Sequence, residues 1–204
     1  MSKKPIIVLE GIECSGKSYH VNNVAYYLKK KKLKFIQIRE PGGNKNSEII
    51  RKLILNNKAT FNKNTDLLLY LSARSENIEL IKNNIGKKII LIDRFIDSTI
   101  AYQHYGMGVD IKLIKMINNF LLKDIKVTFT FINLVNQKNM KKRLKERNKL
   151  NRYDKFKNIF YKRVQEGFLK IFKQNSQRYM RIDSNLDIIQ NKKIILNKID
   201  DLIY

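Results

Sequence analysis

Lys17 and Ser18 close the run Gly11-Ile12-Glu13-Cys14-Ser15-Gly16-Lys17-Ser18, whose spacing of glycines, lysine and hydroxyl is that of a P-loop. Gly11 and Gly16 let the backbone bend tightly, so that successive N–H groups converge on phosphate oxygens. A helix beginning near Gly16 adds the positive end of its dipole. Lys17 then reaches the outer phosphates, and the Ser18 hydroxyl is a ligand for magnesium. Farther along, Asp93 ends an apolar run and is suited to hold magnesium through its water shell, while Arg94 beside it can neutralise phosphate charge. Arg39-Glu40-Pro41-Gly42-Gly43 ends another apolar run, at a point where proline removes a ladder donor and the glycines free the backbone. A glycine-bearing surface turn and a strand-capping Asp-Arg pair would be bland accounts of the same residues. The apolar run before the loop and the helical pattern after it favour nucleotide binding.

Those groups need a scaffold that brings them together. Ile6 to Leu9, Phe35 to Ile38, Lys88 to Asp93, Val127 to Leu134 and Tyr179 to Ile182 read as strands, the third so continuously apolar that it suits a strand buried on both faces. Between them, helical spacing runs from the P-loop to about Lys31, through Ile49 to Ile54, and from Asp66 to Ile85 with Gly86 as C-cap. It resumes from Asp110 to Leu122, Gln137 to Arg147, Phe156 to Gln174 and Ile188 to Ile203. Asp97 to Tyr105 reads as a polar-to-apolar alternation, and Asn148 to Asp154 as a polar connection. Alternation of this kind implies an α/β fold with a parallel sheet covered by helices on both faces, and ligands at the carboxyl ends of its strands. The P-loop, Arg39 to Gly43 and Asp93-Arg94 then converge on one cleft, which argues for an enzyme.

The 204 residues, 43% of them hydrophobic, suit one domain with a sizeable core and no linker. A formal charge of +24 could announce a nucleic-acid partner, but the lysines are scattered over almost every helix. Abundant Lys, Asn and Ile match coding bias in an AT-rich genome, so no physiological nucleic-acid partner is expected. The single cysteine, Cys14, forms no intramolecular disulfide, which together with the missing signal-peptide pattern and spanning segment predicts a soluble protein of the cytoplasm without a membrane partner. His20 and His104 are too isolated for a metal site or a triad.

Five motifs together resemble the thymidylate kinases over nearly the whole chain. They are the P-loop with Glu13, Arg39 to Gly43, Ser72-Ala73-Arg74, Asp93 to Thr99, and Ala101-Tyr102-Gln103. The resemblance implies a three-layer P-loop nucleoside triphosphate hydrolase-like fold with a five-stranded parallel sheet, and transfer of the ATP γ-phosphoryl group to dTMP with Mg2+. It implies that Glu13 contacts the deoxyribose side, that Arg51 and Arg94 hold the acceptor phosphate, and that Pro41 belongs to the dTMP site. By the same resemblance Tyr70 takes the place of a stacking Phe, Arg74 is expected to hydrogen-bond the base, Thr99 and Gln103 to complete the base pocket, and Tyr102 to crowd a ribose 2′-hydroxyl. A homodimer through helices near the middle of the chain is also implied.

Phosphoryl transfer needs cations around the transferred group. The loop interior, Glu13-Cys14-Ser15, carries none. The stretch Arg143, Arg147, Arg152 resembles the lid of the bacterial type, spanning about 143–155, with Arg152 and then Arg147 as the expected catalytic cations beside Lys17 and Arg94. Tyr19, His104, Met107 and Asn133 depart from the family's usual residues. A kinase for another nucleotide, or an ATP-dependent nucleic-acid-binding protein, would be the rival readings.

Overall fold

A computed structural model describes residues 3–204. Its five strands are β1 (Ile6–Gly11), β2 (Phe35–Arg39), β3 (Ile89–Asp93), β4 (Phe129–Leu134) and β5 (Tyr179–Asp183). They form one sheet in the order β2-β3-β1-β4-β5, every neighbouring pair parallel. Every residue of β1 and β3 is buried, as expected for apolar runs sandwiched between helical layers. The chain leaves β1 toward β3 and β2 on one side and toward β4 and β5 on the other. The end of β1 is therefore the point where strand order reverses and a crevice opens.

The helices are α1 (Lys17–Lys30), α2 (Lys45–Ile54), α3 (Lys63–Asn84), α4 (Ile96–Thr99), α5 (Ile111–Leu122), α6 (Gln137–Lys145), α7 (Asn158–Gln174) and α8 (Ile188–Ile203). On one face of the sheet Val21, Val24 and Leu28 of α1 and Ile195, Ile199 and Ile203 of α8 pack on Ile7, Leu9, Phe129 and Phe131. On the other, Ile78 and Ile81 of α3 and Leu122 of α5 cover Ile6, Val8, Ile38, Ile90 and Ile92. This is the expected three-layer arrangement with five parallel strands.

Caps account for most boundaries. Asn44, Asn62, Asp110, Asn136 and Asp187 each accept from backbone N–H groups at a helix start. Asn62 thereby starts α3 at Lys63, three residues before the start expected from the apolar pattern at Asp66. Gly86, at φ 73°, follows the end of α3 as the predicted left-handed stop.

Two segments correct the sequence reading. Asp97 to Tyr105 is not an alternating stretch: α4 runs on into a π-helical segment, Ile100–Gly106. There Met107 N–H reaches back five residues to Tyr102 O at 2.9 Å. α7 seals this segment, with Phe160 and Val164 against Gly106 and Tyr105 against Gly167, so close that a Cβ on either glycine would collide. The polar connection after α6 is not irregular throughout, because Arg152–Lys155 forms a 3-10 turn whose capping box joins Asn151 and Asp154.

Candidate active site

The loop between β1 and α1 is shaped by its backbone. Gly11 lies at φ 143°, where a Cβ would stand 2.5 Å from Asn133 O and 2.8 Å from Ser15 Oγ. Cys14 at φ 57° and Gly16 at φ 79° supply the left-handed bends. No side chain caps the first turn of α1, which leaves its N–H groups for an anion.

Lys17 enters this cradle almost fully buried, and its Nζ donates to Asp93 Oδ1 at 2.5 Å. Burial alone would raise the Asp93 pKa, but the charges of Lys17 and Arg94 outweigh it and hold the carboxyl below its usual value. An ionised Asp93 and the exposed Ser18 hydroxyl are hard oxygen donors, suited to a magnesium ion that completes its shell with nucleotide phosphates and water. Among the described residues no cluster of three acidic, His or Cys side chains forms a separate metal cage.

Glu10, at the end of β1, organises the next strand end. Its buried carboxylate accepts from the N–H groups of Phe95 at 2.8 Å and Ser98 at 3.2 Å, and from the Ser98 hydroxyl. The turn it secures puts Arg94 at φ 67°, a strained position for a side-chain-bearing residue. Arg94 Nη1 donates to Gly11 O at 2.6 Å and Nη2 to Glu13 Oε1 at 3.1 Å, with its guanidinium over the Tyr102 ring. Tyr102 Oη donates to the other Glu13 oxygen at 2.5 Å. Burial would lower the Arg94 pKa, but Tyr102, Glu13, Asp93 and Glu10 around it reverse the effect, so the cation is secure.

The second wall comes from β2, α2 and α3. A cis peptide joins Glu40 to Pro41, and Arg51 Nη1 donates to Pro41 O at 2.6 Å. Arg74 is 2% exposed and donates to Glu40 Oε2, Asn118 Oδ1 and Thr99 Oγ1 at 2.7–2.9 Å. Three of its five N–H donors are thus committed, and two remain for a ligand. Tyr70 meets Tyr153 edge-on at 6.0 Å, and Gln103 Nε2 lies 3.4 Å from Asp66 Oδ2.

A cleft of about 450 Å³ unites these walls, within the range of small-ligand pockets. It is lined by Ile12 through Ser18, Pro41, Arg51, Tyr70, Arg74, Asp93, Arg94, Thr99, Tyr102, Gln103 and Arg147. Gly11 does not line it; its part is to allow the loop to pass close to β4. Arg152, the lid cation ranked first from sequence, does not line it either. Its guanidinium is ion-paired with buried Asp66, donates to Ile54 O at 3.0 Å, and lies over the Phe61 and Tyr153 rings. A long-range carboxylate has captured it. Arg147 faces the cleft instead, with Nη1 2.6 Å from Asp154 Oδ1, while Arg143 donates to Cys14 O at 3.1 Å.

Sequence reasoning missed Glu10, Asp66, Asn118 and Tyr153. An acid directly before the P-loop and a tyrosine beside a lid arginine were weak signals for two of them. Asp66 and Asn118 sit in ordinary helical patterns and gave none.

A family model described as thymidylate kinase matches residues 9–195. The chain is 36% identical over 196 residues to a thymidylate kinase of Sulfurihydrogenibium sp. (strain YO3AOP1), covering 95% of each chain. It is 37% identical over 169 residues to one from Thermosipho africanus (strain TCF52B), covering 82% of this chain and 84% of that one. Among solved structures, the thymidylate kinase from Ehrlichia chaffeensis superposes with a TM-score of 0.78 at 31% identity, covering 96% of this chain and 98% of that one.

Proposed function

The chain belongs to the thymidylate kinase family and phosphorylates dTMP with ATP in dTTP synthesis, and from that premise we propose how this cleft divides the work. The triphosphate of ATP lies on the loop Gly11 to Ser18, with Lys17 at its outer phosphates. Ser18 and Asp93 would hold magnesium, which would supply positive charge at the phosphates. The acceptor enters the opposite wall, its phosphate between Arg51 and Arg94, its sugar against Glu13 and Tyr102, and its base among Tyr70, Arg74, Thr99 and Gln103, beside Pro41. A phosphate oxygen of dTMP forms the new bond to the γ-phosphorus as the bond to the β–γ bridging oxygen breaks, and ADP leaves with that electron pair. The acceptor phosphate is already a nucleophile near neutral pH, so the residues orient and neutralise rather than deprotonate. The observation that carries this division is the Glu13–Arg94–Tyr102 contact, which links the phosphate loop directly to the acceptor wall.

The lid, about 143–155, closes a single kinase domain. Arg147, which faces the cleft, supplies charge to the transferred group; Arg152 can do so only after leaving Asp66. Arg147→Ala is expected to slow phosphoryl transfer in single-turnover measurements by about a hundredfold. A larger loss for Arg152→Ala would mean that Arg152 moves into the cleft on closure, and an unchanged chemical step in both variants would remove the lid from catalysis.

The partners are ATP, dTMP and a second copy of the chain. Ile49 and Leu53 on α2, Leu68 on α3, and Met116 and Phe120 on α5 are exposed on helices that pack side by side, α3 between the other two. An apolar surface of this kind suits a homodimer. Sedimentation equilibrium is expected to give twice the chain mass, and Phe120→Lys to shift it toward one; a wild-type monomer at micromolar concentration would sink the assignment. We read the excess positive charge as an attraction for anionic nucleotides rather than nucleic acid. No described helix is long and apolar enough to cross a membrane, and the free thiol of Cys14 fits the cytoplasm.

A further inference from the structure

Asn118 stands where the pattern of α5 asks for an apolar residue. Ile114, Asn118 and Leu122 recur at every fourth position, and all three are buried, whereas Met116 and Phe120 are exposed. Leucine at 118 would continue the stripe. An amide there is tolerated only if its polar atoms find partners. Oδ1 accepts from Arg74 Nη1 at 2.7 Å, while Nδ2 is buried without a partner. Among the described residues, the bond to Arg74 is the one hydrogen bond that this side chain makes.

Arg74 itself is held from several elements. Glu40, just beyond β2, takes Nε at 2.8 Å, Thr99 of α4 takes Nη2 at 2.9 Å, and the Phe95 ring lies 5.1 Å from the guanidinium carbon. Glu40 and Thr99 both line the cleft, and an arriving ligand can compete for the Thr99 hydroxyl, while the Glu40 carboxylate is paired with Arg74 in a buried ion pair. Asn118 does not line the cleft, and its grip on Nη1 survives occupancy there. A planar guanidinium held at Nε and Nη1 has no rotational freedom left, and its remaining donors have one direction.

We propose that Asn118 is a specificity-positioning residue: from outside the cleft it fixes the plane of the Arg74 guanidinium so that its two uncommitted N–H groups face the pyrimidine base of the acceptor. The inference rests on the reading of Arg74 as the base-contacting residue. It also explains an otherwise unfavourable amide in the apolar stripe of α5. A leucine would pack there but leave a donor of Arg74 unsatisfied and its plane free to tilt.

Steady-state kinetics of Asn118→Ala, Asn118→Leu and Asn118→Asp, alone and with Arg74→Ala, test the idea. Asn118→Ala is expected to raise KM for dTMP about tenfold, the loss of one hydrogen bond to a charged group. KM for ATP and kcat at saturation stay within about threefold, because the interaction is made equally in ground and transition states. Asn118→Leu, which keeps the helix packed, gives the same split if the alanine variant folds poorly. Asn118→Asp, which retains the acceptor oxygen, keeps KM for dTMP within about threefold of the parent. In the Arg74→Ala background the Asn118 substitutions add nothing. An unchanged KM for dTMP in Asn118→Leu, or equal rises for both substrates, overturns the proposal while Arg74→Ala still raises KM for dTMP. If Arg74→Ala itself leaves KM for dTMP unchanged, the reading of Arg74 fails first.

Discussion

Lys17→Ala is expected to lower kcat/KM by about a thousandfold, the range seen when one preorganised charge is removed from a developing anion. The ammonium is almost fully buried and fixed on Asp93 at 2.5 Å, so in the proposed role its position is already set and it has little water to displace. Burial and the nearby charge of Arg94 lower its pKa, opposed by Asp93. Asp93 is therefore both a candidate magnesium ligand and the counter-ion that opposes this lowering. Removing Lys17 leaves the buried Asp93 carboxyl without its partner, and the variant should also melt earlier. Lys17→Arg should not rescue activity, because the planar fork does not fit a space shaped around a point charge. Steady-state and single-turnover kinetics with a melting curve check all three points. A loss of less than tenfold in kcat/KM would mean that the loop backbone and metal carry the charge without it.

The second large effect belongs to Arg94. Arg94→Ala is expected to raise KM for dTMP and lower kcat together, with kcat/KM falling by a factor on the order of 10³. Arg94 bonds the Gly11 carbonyl and the Ser98 hydroxyl, pairs with Glu13 and lines the cleft. Its backbone at φ 67° adds a control that few active-site residues offer. Glycine adopts that conformation without strain, whereas alanine does not. Arg94→Gly should therefore be at least as heat-stable as Arg94→Ala and just as inactive. If activity followed stability across the two variants, Arg94 would be structural and the acceptor phosphate would be bound elsewhere.

Local pattern reached the scaffold well. The P-loop, the apolar run of β3, the extent of α5 and the Gly86 stop of α3 each had a nearby cause, and each lies close to where it was expected. What escaped was set by contacts between distant residues. The capture of Arg152 by Asp66 joins positions 86 residues apart. No helical period or cap encodes such a pair, and the charge of the lid looked alike at every arginine. Arg74 was expected to hydrogen-bond the base; only the folded chain shows Glu40, Thr99 and Asn118 already holding it. Glu10 was visible as an acid beside the loop, but its role depends on the Phe95 and Ser98 amides arriving from β3.

The π-helical segment 100–106 makes this wall of the cleft sensitive to chain length rather than to chain chemistry. A π turn holds about 4.4 residues, against 3.6 for an α turn, so this stretch contains close to one residue more than an ordinary helix of the same rise. Deleting one residue between Ala101 and Gly106 would let the backbone relax into better hydrogen bonds. The same deletion would remove or turn one of the side chains that this segment carries into the cleft, unseating either Tyr102 from Glu13 or Gln103 from Asp66 while the flanking faces are kept. In this short stretch the more regular helix would be the poorer lining for the cleft.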